Sequence, residues 1–172
     1  LLERSVKRGH YVLASGRTSD FYVDCRLTTM SAMGQSLIGR LGLEAIRAQG
    51  WAPRSVGGLT MGADPVAYAI AGASAIAPPT LDAFSVRKEA KTYGTGRRVE
   101  GNFSVGSPVV VVEDVITTGG SALTAIEAIR EAGGSVLGIL AVVDREEGGR
   151  AALEEAGHSV VALTTSTRLG LK

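Results

Sequence analysis

Two adjacent carboxylates, Glu113 and Asp114, precede a short run of hydroxyl side chains and glycines. Glycines let backbone N–H groups point into one concavity, and the N-terminus of a following helix adds partial positive charge, so such a loop stabilises a phosphate. Thr117, Thr118 and Ser121 supply further hydroxyl donors. The two carboxylates only accept hydrogen bonds, which suits the vicinal hydroxyls of a ribose, and they can help to place Mg²⁺ directly or through water. The alternative is an ordinary strand–turn–helix junction whose acids cap the helix.

The sequence around this loop predicts a strand before it and a helix after it. The segment 108–112 holds four consecutive valines, which is typical of a strand buried on both faces. Ala122, Ile126 and Ile129 recur at helical spacing and mark the apolar face of the helix. The loop lacks both the Gly-Lys-Ser/Thr ending of a Walker A loop and the Gly-x-Gly-x-x-Gly of a Rossmann fingerprint. It therefore indicates a different kind of phosphate site.

Arg145 follows an apolar segment that predicts a strand over 136–143. A guanidinium at the carboxyl edge of a strand can pair in a bidentate way with the carboxylate of a ligand, and such edges are where α/β sheets bind ligands. The alternative is a surface salt bridge to Asp144 or Glu146.

A second group of cations, Arg87, Lys88 and Lys91, lies in the polar, glycine-punctuated stretch 87–101, which we expect to be a long loop or a loose hairpin. Cations on a loop that closes over a site stabilise the negative charge of a leaving group and exclude water. The alternative is a solvated charged hairpin.

Composition narrows the class of protein. The chain has 172 residues, of which 45% are hydrophobic and 23 are glycine, and this favours one α/β domain with a parallel sheet. A net charge of +1 argues against a nucleic-acid or membrane-surface role. There is no apolar run that could span a bilayer and no secretory signal at the start. The lone Cys25 fits a reducing compartment, so we expect a cytoplasmic protein.

Hydrophobic periodicity predicts alternating strands and helices, which implies right-handed βαβ units around a mostly parallel twisted sheet flanked by helices. The first residues read as the end of a helix that stops at Gly9. Further strands are expected at 11–13, 21–23, 55–58, 81–86 and 159–163, and further helices at about 37–48, 65–75 and 150–156.

The loop 113–121 resembles the signature that binds phosphoribosyl pyrophosphate (PRPP) in type I phosphoribosyltransferases. Further segments resemble the orotate phosphoribosyltransferases in particular. These are the Ser-Gly-Arg hood at 13–24, the pyrophosphate turn at 58–65, the Arg-Lys-x-x-Lys catalytic loop at 86–94, and the Val-Val-Asp-Arg segment at 142–145. They occur in order along most of the chain, so the resemblance is global.

This resemblance implies a type I phosphoribosyltransferase fold in a single domain over 1–172, with a small N-terminal hood at about 1–30 and a core at about 31–172. The implied activity transfers phosphoribosyl from PRPP to orotate, in pyrimidine nucleotide synthesis. Mg²⁺ would be held mainly through PRPP, with no direct protein ligand. The protein would be a homodimer with shared active sites, in which the loop bearing Lys91 reaches the partner's phosphate loop, and it would bind neither nucleic acid nor membrane.

The resemblance also implies roles for individual residues. The catalytic residues would be Lys91, Glu113 and Asp114. Orotate would be bound by Arg145 and Thr117, with Tyr22 against the base unless it is a half-buried strand aromatic. The residues expected to bind PRPP are Arg87, Lys88, Lys91, Glu113, Asp114, Val115, Ile116, Thr117, Thr118, Gly119, Gly120 and Ser121.

Four positions depart from the pattern of many members of that family. Ala14 replaces a lysine that reaches the reacting groups, and Tyr93 replaces a histidine in the catalytic loop. Gly62 stands in the pyrophosphate turn where some relatives have lysine, so backbone N–H groups must suffice there. Glu113 replaces Asp, which keeps the charge but lengthens the reach. These changes bear on rate and affinity and leave the predicted fold unchanged.

Two other functions fit the same fold. A purine phosphoribosyltransferase would need an apolar or carbonyl-lined base pocket and not an arginine that pairs with a carboxylate. A non-catalytic regulator that senses PRPP would need a DNA-reading element, and the sequence has neither a helix-turn-helix segment nor a strong basic excess.

Overall fold

The computed structural model describes residues 1–12, 18–89 and 97–172. The described helices are α1 (Leu2–Ser5), α2 (Arg26–Thr29), α3 (Ala32–Ala48), α4 (Ala63–Ile76), α5 (Gly120–Glu131) and α6 (Gly149–Glu155). The described strands are β1 (Val6–Val12), β2 (Thr18–Val23), β3 (Ser55–Leu59), β4 (Asp82–Val86), β5 (Val99–Gly101), β6 (Pro108–Ile116), β7 (Ser135–Asp144) and β8 (Val160–Thr165).

The central sheet has six strands in the order β5-β4-β3-β6-β7-β8. All neighbours pair in parallel except β5, which is antiparallel to β4 at one edge. After β3 the chain first adds β4 on one side and then returns to place β6 on the other. Ligands of α/β sheets bind at the carboxyl ends of strands where the strand order reverses in this way, so β3 and β6 mark the expected position of a site.

The valine-rich strand β6 is buried because each face of the sheet carries its own apolar core. Val110 and Val112 pack in the core that contains residues of α3 and α4, whereas Val109 and Val111 pack in the core that contains α5. Alternation of side chains along a strand produces this division. The expected mostly parallel sheet flanked by helices is confirmed.

The N-terminal hairpin differs from its prediction. The first helix ends at Ser5 and not near Gly9, because residues from Val6 onward pair with β2 as an antiparallel strand. Gly9 lies inside β1 with φ of +152°. Long-range strand pairing has overridden the local helical pattern. Phe21 and Val23 of β2 join the core beside α3 and α4, so the hairpin packs on the sheet domain.

Two predicted boundaries near the sheet also change. β6 continues to Ile116 because it stays paired with β7 up to Asp144, so Glu113 and Asp114 lie within the strand and not after it. The stretch 87–101 ends in the edge strand β5, which supports the hairpin interpretation for its last residues. Within the described ranges, every helix is too short or too polar to cross a membrane.

Candidate active site

The phosphate loop lies between the end of β6 and the start of α5. Gly119 adopts φ of +84°, which a side chain would disfavour, and the helix begins at the next residue. A small pocket opens at this helix N-terminus, where backbone N–H groups and the helix dipole favour an anion. Its lining consists of Glu113, Val115, Ile116, Thr117, Thr118, Gly119, Gly120, Ser121 and Ala122. The structure therefore brings together most of the residues predicted to bind PRPP.

The start of α6 holds this loop in place through backbone contact. A Cβ added at Gly149 would lie 2.4 Å from the Thr117 carbonyl oxygen and 2.8 Å from the Gly119 nitrogen. A Cβ at Gly119 would in turn lie 3.0 Å from Cγ of Leu153, which also belongs to α6. Sequence reasoning missed this support, although the glycine pair at 148–149 was the available signal.

Glu113 is buried beneath the phosphate loop, with 5% of its surface exposed. Its Oε1 atom finds no hydrogen-bond partner among the described residues. Burial, together with the nearby charge of Asp114, raises the pKa of this carboxyl to about 8. Glu113 is thus an acceptor or a donor with unused hydrogen-bonding capacity, facing the pocket at its base.

Asp114 contacts the turn that follows β3. A Cβ at Gly62 would lie 2.5 Å from Oδ1 of Asp114, so a lysine side chain at this position would require the carboxylate or the turn to move. Burial raises the pKa of Asp114, whereas the Val115 N–H, which donates to Oδ1 at 2.9 Å, lowers it. The carboxylate of Asp114 therefore lies beside the turn that was predicted to bind pyrophosphate.

A polar network that the sequence did not predict fixes the same turn. Asp64, in the first turn of α4, accepts hydrogen bonds from the hydroxyls of Thr60 at 2.6 Å and Ser85 at 2.7 Å. The Tyr68 hydroxyl lies 3.1 Å from that of Ser85. These contacts connect the carboxyl ends of β3 and β4. An acid at the start of a helix is the only sequence signal for them.

Arg145 is buried next to the phosphate loop, with 3% of its surface exposed. Its backbone N–H donates to the Ile116 carbonyl at 3.0 Å. Its guanidinium lies 4.7 Å from the centre of the Phe21 ring, and Nη2 donates to Ser19 Oγ at 3.2 Å. Nη2 also lies 2.8 Å from Oε1 of Glu147 in a shielded salt bridge.

Neither of the two salt-bridge partners that the sequence suggested for Arg145, Asp144 and Glu146, is its partner in the structure. Asp144 accepts a hydrogen bond from the backbone of Glu146 at 2.8 Å. The Glu146 carboxylate instead binds the backbone and hydroxyl of Thr167, both at 2.7 Å. Arg145 pairs with Glu147, one residue beyond the two acids that were considered.

The hood residues nearest to Arg145 are those on the inner face of β2. Tyr22 points to the other face, because successive side chains of a strand lie on opposite faces. It is 39% exposed, and its ring centre lies 5.6 Å from that of Tyr11. Ser19 and Phe21 were missed by the sequence interpretation, although period-two alternation placed them on one face.

Of the predicted loop cations, Arg87 and Lys88 have exposed side chains just after β4. The backbone N–H of Arg87 donates to the Arg98 carbonyl at 2.8 Å. Lys91, Ala14 and Tyr93 lie outside the described residues. Among the residues that are described, no three His, Cys, Asp or Glu side chains are grouped so as to hold a metal ion.

Comparison with known proteins gives one consistent family. Residues 35–158 match the model of the phosphoribosyl transferase domain. The orotate phosphoribosyltransferase of Sorangium cellulosum is 47% identical over 169 residues, which are 96% of this chain and 86% of that protein. The enzyme of the same name from Mycobacterium avium is 47% identical over 167 residues, which cover 97% of this chain and 90% of the relative.

Solved structures agree. The orotate phosphoribosyltransferase of Mycobacterium tuberculosis in complex with PRPP superposes with a TM-score of 0.82 at 41% identity, covering 98% of this chain and 93% of that one. The adenine phosphoribosyltransferase of Leishmania donovani superposes with a TM-score of 0.67 at 17% identity, over 97% of this chain and 79% of that one. At 17% identity, the similarity to the adenine phosphoribosyltransferase shows a shared fold and nothing more.

Proposed function

This chain belongs to the orotate phosphoribosyltransferase family, and from that premise we propose how its residues carry out the reaction. The ring nitrogen of orotate forms a bond to C1 of the ribose of PRPP while the bond from C1 to the pyrophosphate oxygen breaks. The electron pair of that bond leaves with pyrophosphate, and orotidine 5′-phosphate is the other product. The reaction belongs to pyrimidine nucleotide synthesis.

One observation carries the assignment of the site. The hydrogen bond from the Arg145 backbone to Ile116 places a cation directly beside the loop that can hold a phosphate. A ligand with a phosphate at one end and an anionic base at the other would match the two neighbouring strand ends. Orotidine 5′-phosphate has this arrangement, whereas a purine nucleotide offers no carboxylate to the arginine.

We assign the 5′-phosphate to the pocket at the start of α5, where Thr117 to Ser121 supply backbone N–H groups and hydroxyls. Glu113 and Asp114 are assigned to the ribose hydroxyls. Glu113 has the free acceptor atom that such a role needs, and Asp114 lies beside the turn at Gly62.

As pyrophosphate leaves, negative charge develops on it and the sugar becomes electron-poor. Arg87, Lys88 and Lys91 are proposed to stabilise that charge and to exclude water, which would otherwise hydrolyse PRPP. Orotate contacts Arg145 and Thr117. Tyr22 is not assigned to the base, because it lies on the face of β2 opposite to Ser19 and Phe21. The proton of the ring nitrogen passes to water before the bond to C1 forms, so the nitrogen reacts as the anion and no side chain is required as a general base.

The donor set around Glu113 and Asp114 fits Mg²⁺ bound chiefly through the substrate. Mg²⁺ usually takes one or two carboxylates together with phosphate oxygens and water, and Glu113 has an unpartnered buried oxygen. When bound, the ion neutralises the charge of the leaving pyrophosphate. The two carboxylates would orient PRPP together with it.

We further propose a cytoplasmic homodimer in which the loop bearing Lys91 completes the partner's site. A cationic loop can close over a site that its own sheet does not face, and a two-fold dimer provides two such sites.

The decisive test is loss of orotate absorbance with PRPP and Mg²⁺, with adenine and hypoxanthine as control bases. Orotate should be consumed and the purines should not. Excess EDTA should abolish turnover, and added Mg²⁺ should restore it. Consumption of a purine base would contradict the base assignment, whereas full activity in EDTA would contradict only the role of Mg²⁺.

A further inference from the structure

The Nη2 atom of Arg145, which a bound carboxylate would also use, already has two partners within the protein. Nη2 has two hydrogens, and it contacts two acceptors, Oε1 of Glu147 at 2.8 Å and Oγ of Ser19 at 3.2 Å. Phe21 covers one face of the group. Nε is buried and has no hydrogen-bond partner among the residues that the structure describes. With only 3% of its surface exposed, Arg145 can accept a new ligand only if a present contact is given up.

Guanidinium geometry identifies the contact at stake. A carboxylate binds a guanidinium in a bidentate way either through Nε and Nη2 or through Nη1 and Nη2, since the Nε hydrogen points away from Nη1. Both edges include Nη2. A carboxylate that binds Arg145 through two hydrogen bonds must therefore replace either Ser19 or Glu147.

The structure distinguishes these two partners. The Ser19 hydroxyl also donates to the Phe21 carbonyl at 2.7 Å within the hairpin, so its position is fixed by its own strand. Glu147 is bound from a loop that continues into Gly148, at φ of +95°, and a Cβ at Gly148 would have no neighbour within 4 Å. The glycine that follows Glu147, with open space around it, leaves this loop freer to move than the strand that holds Ser19.

We propose that Glu147 is an internal counter-ion that orotate displaces: its carboxylate occupies the edge of Arg145 to which the carboxylate of orotate binds. The exchange replaces one carboxylate by another, so the buried guanidinium is never left without an anion. An unpaired buried charge would be strongly destabilising. This inference rests on the proposed role of Arg145 in reading orotate.

A displaced counter-ion has a measurable cost. Orotate must break the contact between Glu147 and Arg145 before it gains its own, so the ion pair lowers the affinity for orotate while it stabilises the protein. Removing the charge of Glu147 should reverse both effects. A residue that only positioned Arg145 would do the opposite, because its loss would weaken orotate binding.

The test compares Glu147→Gln with the wild-type protein by calorimetric titration of orotate, steady-state kinetics and thermal unfolding. Gln keeps an acceptor oxygen at the same place but removes the charge. We expect the dissociation constant and KM for orotate to fall by roughly tenfold, the scale of one charge-assisted hydrogen bond that no longer has to be broken. The KM for PRPP and kcat should change little, and the Tm of the free protein should fall.

Glu146→Gln is the matched control, because it removes the same charge one residue away from a carboxylate that binds Thr167. It should leave orotate affinity within about twofold, which excludes a general effect of net charge at the exposed surface. Should Glu147→Gln fail to fold, Glu147→Asp keeps the charge but shortens the reach, and it should tighten orotate binding to a smaller extent.

Weaker or unchanged orotate binding in these variants would overturn the exchange and leave Glu147 as a positioning residue. Tighter binding in Ser19→Ala but not in Glu147→Gln would also overturn it, because Ser19 would then be the displaced partner. Failure of the proposed function looks different: wild-type protein would neither bind nor consume orotate, and Arg145→Ala would behave like wild type.

Discussion

The phosphate loop and the arginine beside it lie at neighbouring strand ends, yet they are assembled in different ways. The phosphate side, residues 117–121 with Glu113, is one continuous segment whose shape comes from the backbone, from the αL glycine at 119 and from contact with Gly149. The base side is Arg145 with Ser19, Phe21 and Glu147, and it joins segments far apart in the chain.

The two sides also differ in how their polar groups are satisfied. Glu113 on the phosphate side and Arg145 on the base side each retain a buried atom without a hydrogen bond among the described residues. The charge of Arg145, however, is compensated by its ion pair with Glu147. A preformed backbone cradle can accept a phosphate without rearrangement. A buried ion pair must exchange partners, so the base side should be the more sensitive to side-chain charge and the phosphate side to backbone shape.

The largest effect should come from removing Asp114 in one subunit of the dimer and the loop cation Lys91 in the other. Lys91→Ala and Asp114→Ala should each be nearly inactive as homodimers. After the two variants are mixed, unfolded and refolded, about half of the dimers should be hybrids under random pairing. Each hybrid then has one site with both lesions and one with neither. Activity should recover to about a quarter of wild type by the same statistic.

Activity of the refolded mixture and native mass spectrometry of the hybrids are the two measurements. If hybrids form and the mixture stays inactive, Lys91 serves its own subunit and the shared site is excluded. The reaction assignment would be unaffected. Wild-type protein taken through the same refolding gives the reference for full recovery.

The next largest effect concerns the base side alone. Arg145→Ala should lower kcat/KM for orotate by an amount that corresponds to about 2–4 kcal/mol of transition-state stabilisation, because the carboxylate of the base loses its charged partner. KM for PRPP should change much less. The substitution also leaves Glu147 buried without its cation, so Arg145→Ala combined with Glu147→Gln serves as the control. The double variant should regain stability without regaining orotate turnover; an unchanged KM for orotate in the single variant would remove Arg145 from the site.

A substitution that displaces the backbone of the phosphate loop should affect the phosphate side selectively. A Cβ at Gly149 would lie 2.4 Å from the Thr117 carbonyl, so Gly149→Ala must displace the loop. We expect a loss of about 1–3 kcal/mol in stability, as for other overpacked sites, and a raised KM for PRPP with less change for orotate. Gly72→Ala is the matched control, since a Cβ there meets nothing within 4 Å. Equal effects on both substrates would show that the two sides are not independent.

The sequence predicted the strand, loop and helix of the phosphate side well because their determinants are local. A valine run, two acids and a glycine–hydroxyl loop before a helix occupy one segment, and the same physical rules hold wherever it is placed. The strand boundary was less accurate: β6 extends to Ile116 because of pairing with β7, which local pattern does not contain.

The base side was predicted only in part, because its contacts depend on tertiary packing. Arg145 was identified from its place after a strand, but Ser19, Phe21 and Glu147 were not. The first residues of β1 were taken for the end of a helix for the same reason, since they are held in the strand by pairing with β2. The end of β1 falls within the strand that was predicted at 11–13.

A gradual effect, spread over several pH units, tests the unsatisfied carboxyl on the phosphate side. Burial raises the pKa of Glu113 from an ordinary value of 4.5 to about 8. Between these values the folded protein keeps the proton and the unfolded chain has lost it, so folding takes up a proton and stability falls as pH rises. The loss is at most about 1.4 kcal/mol per pH unit. It levels off above the folded pKa, and below the unfolded pKa the stability is fully retained.

Glu113→Gln lacks this titration, so its free energy of unfolding should decline less between pH 5.5 and 7.5 than that of wild type. Urea unfolding at several pH values measures the difference directly, and groups common to both proteins largely cancel. If the two curves run parallel, or if wild type gains stability relative to the variant as pH rises, Glu113 is ionised and paired in the folded protein. The phosphate side would then be satisfied in the same way as the base side, and the contrast between an unpartnered carboxyl and a paired guanidinium would disappear.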